Sequence, residues 1–459
     1  MSLTTSFGLI ANTALIATSS AVLALSFGLP IGRWLQQLPV RLRRGFGAVL
    51  VLPFVLPPFL VALALSPLQN VLDIDSKFGM LWIILANAFM NIGFIARVVA
   101  STPIPRSQVE AAVLDGAGRS KVFWFIELPN RISSLSAATL LVSLYSATSY
   151  GIVLVLGRGS VQTLETEIAE LALRRMDLVA AGWLALFQTL LTIAIFLLSR
   201  IAKASPGSVF GRTFESGIKV SGFWALPSLL VFGLVLYTAG GVLYRGLGAG
   251  MDSLGSQGFR DILNVSILEA GLNSLRNIIT SLFIAVPIAW VISRRRSNWV
   301  LMLSGVSPVV FGLLALVGSG YLPRAISGSW LLLPIVQSLF LLPLLYQIIR
   351  PARLSLSTGV LDSAQLDGVN AWQRLTLIEL PLLHRPVSVG IAFAGLAGLG
   401  EFGASSFLAF GSQTTLPVAI MRLISRPGAE NFQLAMFSAS LFILIAVYIV
   451  WLVSSEKEN

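Results

Sequence analysis

"EAAVLDGAGRSKVFWFIELP", Glu110–Pro129, and "DSAQLDGVNAWQRLTLIELP", Asp362–Pro381, are one stretch written twice. A shift of 252 residues aligns them with identities at Ala112/Ala364, Leu114/Leu366, Asp115/Asp367, Gly116/Gly368 and all of "IELP". Eight matches in twenty positions stand far above chance. The same shift goes on to pair Tyr150-Gly151 with Phe402-Gly403, Thr163-Leu164 with Thr415-Leu416, and Ile168 with Ile420. The chain is therefore an internal duplication.

Both copies are polar islands in an apolar chain. Of 459 residues 56% are hydrophobic and 11% charged, with a mean hydropathy of +0.85, more apolar surface than a water-soluble globule can bury. This composition describes an all-α polytopic membrane protein in contact with lipid. At roughly 20 apolar residues per crossing, about eleven spans are expected, near 7–30, 45–66, 80–102, 134–157, 179–200, 222–245, 269–292, 298–320, 330–350, 386–410 and 432–453. The net charge of +11 does not point to nucleic acid, because its Arg and Lys lie in short loops between apolar runs. With no Cys there is no disulfide and no Cys-based metal or redox site. The single His384 adjoins Arg385 at the expected membrane surface, and no metal site is expected. The N-terminus has no basic n-region and its apolar run is too long for an h-region, so no cleaved signal peptide is expected.

Basic loops set the orientation. Arg33, Arg41, Arg43 and Arg44 follow the first span, Lys203, Arg212 and Lys219 the fifth, and Arg294, Arg295 and Arg296 the seventh. All fall on one side, which the positive-inside rule makes cytoplasmic. The N-terminus is then outside, the C-terminal "SSEKEN" inside, and both repeated stretches are cytoplasmic. Repeats six spans apart share orientation, which predicts two halves related by a pseudo-two-fold along the membrane normal, with a pathway between them. The expected halves are 1–205, with about five spans and the loop 103–133, and 206–459, with about six spans and the loop 351–385. They are joined by "KASPGSVFGRTFESGIK", and the span 222–245 has no counterpart before residue 7.

Within the first copy, Ser107 and Glu110 make an S-x-x-E pattern that predicts a capping box and a helix start near Ser107. Gly116 offers the positive φ that ends that helix. A second amphipathic turn bearing Val122, Phe123 and Ile126 is expected to stop at Pro129, before the fourth span. The second copy keeps Gly368, Ile378 and Pro381, but Gly359 replaces Ser three residues before Asp362.

The pattern E-A-A, then Gly, then I-x-L-P resembles the EAA loop of permease subunits of type I ATP-binding-cassette importers, of the kind that carries one loop in each half. The resemblance implies that each loop is a coupling helix docking into a groove on a cytoplasmic ATPase dimer. It places that role on Glu110, Ala111, Ala112, Asp115, Gly116, Ile126 and Pro129, and on Asp362, Ala364, Asp367, Gly368, Ile378 and Pro381. Asp362 for Glu and Ser363 for Ala depart from the pattern, which makes the two docking contacts unequal. No Lys follows a Gly, so there is no phosphate-binding G-x-x-x-x-G-K-[ST] loop. The chain itself is expected to be no enzyme and to bind no cofactor, with ATP and Mg on the partner ATPase. The resemblance further implies a bacterial inner-membrane location and a soluble extracytoplasmic binding protein. Glu165, Glu167, Glu170, Arg174, Arg175 and Asp177, with Arg422, Arg426 and Glu430, are candidates to dock that protein.

A fused two-loop permease is similar to the branch that includes thiamine and iron(III) permeases. "LVLGRGSVQTLETEIAELAL" and "GLGEFGASSFLAFGSQTTLPVAIMRLI" resemble the thiamine permease, and are similar to the iron branch too. Both cargoes are cationic, which draws attention to Glu401, mid-span between Gly400 and Gly403. Two readings are open for it: a carboxylate facing the pathway, or a structural acid bonded to a neighbouring helix or to unwound backbone. Tyr150 lies near the aligned position of the first half. Asn87 and Asn91, one turn apart, either line the pathway or tie helices together. Pro53, Pro57, Pro58 and Pro308 predict kinked helices. A secondary transporter also uses parallel repeats, but the loops after the second spans lack the basic signature of the major facilitators, and a proton-coupled carrier would be expected to show more than one mid-span acid. A membrane enzyme finds no paired-carboxylate or nucleophile motif.

Overall fold

Every predicted span contains a helix, and the described residues contain no strand. The computed structural model describes residues 3–71, 78–102, 104–201, 225–248, 265–294, 299–323, 326, 329–356 and 358–455. The joint 203–219, with Lys203, Arg212 and Lys219, and also Arg295 and Arg296, lie outside the described residues. Among the described residues eight helices are long and apolar enough to cross a membrane, or up to eleven spans if each of three bent pairs is one.

In chain order the helices are α1 (Leu3–Leu35), α2 (Val40–Val55), α3 (Pro58–Val71), α4 (Gly79–Ser101), α5 (Arg106–Leu114), α6 (Arg119–Ala147), α7 (Tyr150–Leu156), α8 (Leu164–Leu173) and α9 (Leu178–Ile201). They continue with α10 (Ala225–Gly248), α11 (Ile267–Ser293), a 3₁₀ segment Trp299–Gly305, α12 (Pro308–Gly318), α13 (Leu332–Leu354), α14 (Thr358–Leu366), α15 (Ala371–Leu399), α16 (Gly403–Leu408), α17 (Leu416–Ile424) and α18 (Ala429–Ser455).

The prolines break helices more sharply than a kink. Leu56, before Pro57-Pro58, is extended at φ −69° and ψ 147°, as the residue preceding a proline prefers, and the helices α2 and α3 on either side meet at 99°. Ser307, before Pro308, is likewise extended, and its Oγ accepts the Val310 N–H at 3.2 Å. There the 3₁₀ segment and α12 meet at 97°. Each half thus bends its second core span through a right angle.

Proline acts differently at the repeated stretch. Pro129 does not stop a helix ahead of the fourth span, as the sequence predicts; α6 runs unbroken from Arg119 through Pro129 to Ala147. The reason is a π-helical turn at Phe123–Glu127, which closes with the Leu128 N–H on the Phe123 carbonyl. A wider turn gives room for a ring that would otherwise clash with the carbonyl four residues back. The second copy repeats it: a π turn at Arg374–Glu379 closes with Leu380 N–H on Leu375 O, and Pro381 follows inside α15.

The capping boxes also differ from expectation. Pro105, not Ser107, is the N-cap of α5, and no side chain caps it. Ser107 lies one residue inside the helix and is exposed, because the fixed φ of Pro105 already starts the turn. The second copy has a box the sequence reading omits, between Asn370 and Gln373 at the start of α15.

The repeat boundary and the packing boundary do not coincide. One packed unit is Met1–Leu263 with Ala419–Asn459; the other is Asn264–Val418. In the first, α1 packs on α4 and α6, α3 on α7, and α8 on α9. Its further members, α10 and α18, pack on each other and on α2. A Cβ on Gly246 would fall 2.5 Å from the Met436 carbonyl oxygen, so small residues set this close approach. In the second unit α11 packs on α13 and α15, and α12 on α16.

Candidate functional site

The repeated loop is built on a glycine. After α5, Gly116 takes φ +79°, its N–H reaches the Val113 carbonyl at 3.0 Å, and the Ala117 N–H reaches the Ala112 carbonyl at 2.9 Å. This paired closure is a Schellman turn. After α14, Gly368 takes φ +71° and the Val369 N–H reaches the Ala364 carbonyl at 3.0 Å. Ala112 and Ala364 therefore recur as the carbonyls that receive the turn.

The turn presents a matched surface. Glu110, Ala111, Asp115 and Asp367 are exposed, Ala112, Ile126 and Ile378 are partly buried, and Ala364 is buried. Pro129 and Pro381 are exposed as well. Asp362 lies in α14, its side chain outside the described part. Leu114 and Leu366, one residue before the cap, are 86% and 89% exposed. Trp124, Phe125, Trp372 and Leu377 stand out nearby. Such apolar side chains on a polar loop mark a surface for a protein partner.

What anchors the loop is the glutamate of "IELP", a residue that sequence reasoning aligned but gave no role. Glu127 is buried at 2% exposure. Arg33, at the end of α1, forks onto it, Nε to Oε2 at 2.8 Å and Nη2 to Oε1 at 2.7 Å. Arg131, 1% exposed, adds Nη1 to Oε2 at 2.8 Å. Its Nη2 donates to Gln36 Oε1 at 2.6 Å, and Gln36 donates in turn to the carbonyls of Val99 and Ala100. One carboxylate thus fastens α6 to α1 and, through Gln36, to α4.

The second copy holds Glu379 with other arginines. Arg353 Nη2 and Arg374 Nε donate to its Oε1, each at 2.9 Å, and Arg294 Nη2 to Oε2 at 3.3 Å. Arg353 also reaches Ser293 Oγ at 3.1 Å. Arg33 and Arg294 occupy matching places, each at the end of its half's first core helix. Positive residues read as loop charges in the sequence are here the partners of a buried carboxylate. The available signal was an acid repeated in two apolar settings.

The opposite ends of these helices are fastened too. In the first half Asn12 Nδ2 donates to the Gln162 carbonyl at 3.0 Å, and Thr13 Oγ1 accepts the Leu164 N–H at 3.1 Å. In the second, Asn273 Nδ2 donates to the carbonyls of Ser412 and Thr414 at 2.8 and 3.1 Å, and Ser274 Oγ accepts the Leu416 N–H at 2.9 Å. These pairs, like Arg33 and Arg294, are related by a shift of 261, nine residues off the register of the loops.

Between the ends, each half's fourth core span breaks at the predicted pathway residues. The first bends by 54° between α6 and α7 at Thr148-Ser149. Asn87 Nδ2 donates to Ser149 Oγ at 3.1 Å and to the Ile83 carbonyl at 2.9 Å, and Asn91 Nδ2 to the Asn87 carbonyl at 2.8 Å. Both asparagines are buried, so Asn87 ties α4 to the break. Tyr150, half-buried, opens α7. The counterpart of Glu401 at a shift of 252 is Ser149 rather than Tyr150.

Glu401 is buried, and its oxygens are engaged by backbone. Oε1 accepts the Ala404 N–H at 2.6 Å; Oε2 accepts the Ser405 N–H at 3.0 Å and Ser405 Oγ at 2.8 Å. Gln337 of α13 bonds to it as well. It thus serves the free N–H groups that open α16. Gly151 and Gly403 admit the neighbouring bent span: their Cβ atoms would meet Phe59 Cβ at 2.8 Å and Pro308 Cβ at 3.0 Å.

Some of the charges expected to form an outer rim are internal. Glu165 and Glu167 are buried, Glu165 accepting from Gln188 and Glu167 lying 3.6 Å from Arg175. Glu170, Arg174, Arg175 and Asp177 keep partial or full exposure, and Arg426 and Glu430 are exposed. Among the described residues no cluster of His, Cys, Asp and Glu could hold a metal ion.

Residues 28–205 match the family described as binding-protein-dependent transport system inner membrane component. A thiamine transport system permease protein of Brucella abortus is 24% identical over 445 residues, covering 88% of this chain and 80% of the relative. That of Escherichia coli is 24% identical over 374 residues, covering 76% and 68%. A molybdenum transport system permease protein of Haemophilus influenzae is 27% identical over 214 residues, covering 41% and 93%. No solved structure gives a significant match. Similarity that takes in both loops, on a helical fold of eight to eleven candidate spans, supports a fused two-half permease of the ATP-binding-cassette importers, a multi-pass inner-membrane protein.

Proposed function

We propose that the chain carries thiamine inward, driven by a separate cytoplasmic ATPase dimer and fed by an extracytoplasmic binding protein. The observation that carries the cargo is the breadth of similarity: the relatives named for thiamine match across both repeats, whereas the one named for molybdenum matches 41% of the chain. The N-terminus lies outside and the C-terminus in the cytoplasm, with the two loops facing the ATPase. Leu114 and Leu366 insert into its two grooves, the apolar part of each contact, while the Schellman turns hold the loops in shape. ATP-driven closure of the dimer draws the loops together and turns the halves between inward-open and outward-open states. Glu401 and the Asn87–Ser149 pair keep the broken spans open, so their part in the pathway is to shape it. The binding protein meets exposed Arg174, Arg426 and Glu430 in this reading.

The test is uptake into proteoliposomes containing this chain, its ATPase and its binding protein, comparing labelled thiamine, ferric iron and molybdate with and without ATP. ATP-dependent thiamine uptake is expected. Uptake of iron alone would overturn the cargo, and ATP-independent uptake would overturn the energy source.

A further inference from the structure

We infer that α1 and α11 are struts, each clamped at both ends, that carry the displacement of a coupling loop across the membrane to the opposite side of the same half. At the loop end the clamps are Arg33 on Glu127 and Arg294 on Glu379. At the far end they are Asn12 with Thr13, and Asn273 with Ser274, each pair gripping the backbone that leads into α8 or α17. In both halves 21 residues separate the asparagine from the arginine. At ~1.5 Å per residue that is about 32 Å, close to the ~30 Å thickness of the hydrocarbon core. Two helices of different sequence therefore place the same clamps one membrane thickness apart. The far clamps grip backbone in a specific way: Thr13 and Ser274 each accept the first N–H of the following helix, a donor with no partner inside that helix. A helix held at one end only would let the loop move without moving the far side; a helix held at both cannot. The spans stay continuous despite Pro30 and Pro287. These six side chains are positioning residues, acting through the helices they fasten. The inference rests on the importer reading above.

The chain has no Cys, so labels can be placed singly. Spin labels at Ser120→Cys on the loop and Met176→Cys beyond α8, both exposed and outside the proposed docking contacts, report the length of the first strut in the complex with ATPase and binding protein. The distance is expected to stay constant between nucleotide-free and ATP-bound complexes, and to change between them once Asn12→Leu and Thr13→Val release the clamp. In that variant cargo moved per ATP hydrolysed is expected to fall roughly tenfold, the effect two neutral hydrogen bonds set, while the ATPase still co-purifies. Arg33→Lys, which keeps charge but loses the fork, provides the same readout from the other end if the first variant fails to assemble. A label distance that changes between nucleotide states in the unaltered chain overturns the strut, as does an unchanged ratio of transport to hydrolysis in both variants. Absence of ATP-driven uptake by the unaltered chain counts instead against the importer reading, and leaves the distance measurement to decide the strut.

Discussion

The two "IELP" glutamates are anchored unequally, and removing them should show it. Glu127→Ala leaves Arg131, 1% exposed, with Gln36 as its remaining side-chain acceptor, and its Nε already has none. Breaking a buried pair from one side costs about 3–5 kcal/mol, because the other charge stays behind without compensation. At ~1.4 kcal/mol per factor of ten, the folded fraction relative to unfolded drops by roughly 10² to 10⁴. Glu379 is just as buried, but when it is removed Arg294, 40% exposed, and Arg374, 29%, can turn toward water, while Arg353, 10% exposed, keeps Ser293 Oγ as an acceptor. A penalty on the order of 1–2 kcal/mol is expected there, as for partly solvated pairs. The assay is thermal inactivation of the purified chain in detergent, read as the half-life of the monodisperse peak on gel filtration, since unfolding of such proteins is governed by rate. Glu127→Ala should shorten that half-life far more than Glu379→Ala, and Glu127→Ala with Arg131→Met should recover part of the loss. Equal losses at the two sites, or a double variant no better than the single, would refute the reasoning.

Three further outcomes follow from the loops and the break. Gly116→Ala and Gly368→Ala each cost ~1–2 kcal/mol of left-handed backbone and nothing in contacts, since no atom lies within 4 Å of either Cβ; ATPase co-purification should fall, and Asn at the same positions should restore most of it. Leu114→Asp with Leu366→Asp should abolish ATPase association while the membrane chain stays monodisperse, and retained association would remove these leucines from the contact. Glu401→Gln keeps one oxygen for the N–H groups of α16, whereas Glu401→Leu keeps none, so stability and uptake should fall together in the order wild type, Gln, Leu; loss of uptake at unchanged stability in Glu401→Gln would make the carboxylate a cargo ligand.

The fold was legible because its spans are apolar runs and its duplication sits in a polar loop where matches are easy to see. The bends were half legible: Pro57, Pro58 and Pro308 announced a disturbance, but the right angle depends on how the bent arms pack against Gly151 and Gly403. Pro129 misled, because a proline stops a helix only where the turn before it is a normal α turn, and the π turn, which recurs before Pro381, leaves no mark that periodicity can detect. The clamps on α1 and α11 were hidden for a different reason. A register of 252 fits the loops, and the nine-residue offset of the first core helices sets Asn12 against Asn264, Thr13 against Val265 and Arg33 against Ala285 instead of against Asn273, Ser274 and Arg294. Glu127 and Glu379 stood in the alignment throughout, yet part of what holds each, Arg33 for one and Arg294 and Arg353 for the other, comes from other helices.

The π turns also fix an angle. Each accommodates one residue more than an ordinary helical turn, so excising a single residue from Phe123–Glu127 would make the helix regular and rotate everything before it by about 100°, with a shift of ~1.5 Å. Leu114 would then point along a different bearing while the transmembrane part of α6 stayed in place. If an ATPase dimer with two like grooves drives the chain, as proposed, each loop must be aimed correctly within its own half, and the wide turn found in both copies sets that bearing. A one-residue deletion in either copy would then turn that loop away from its groove while the other kept its bearing.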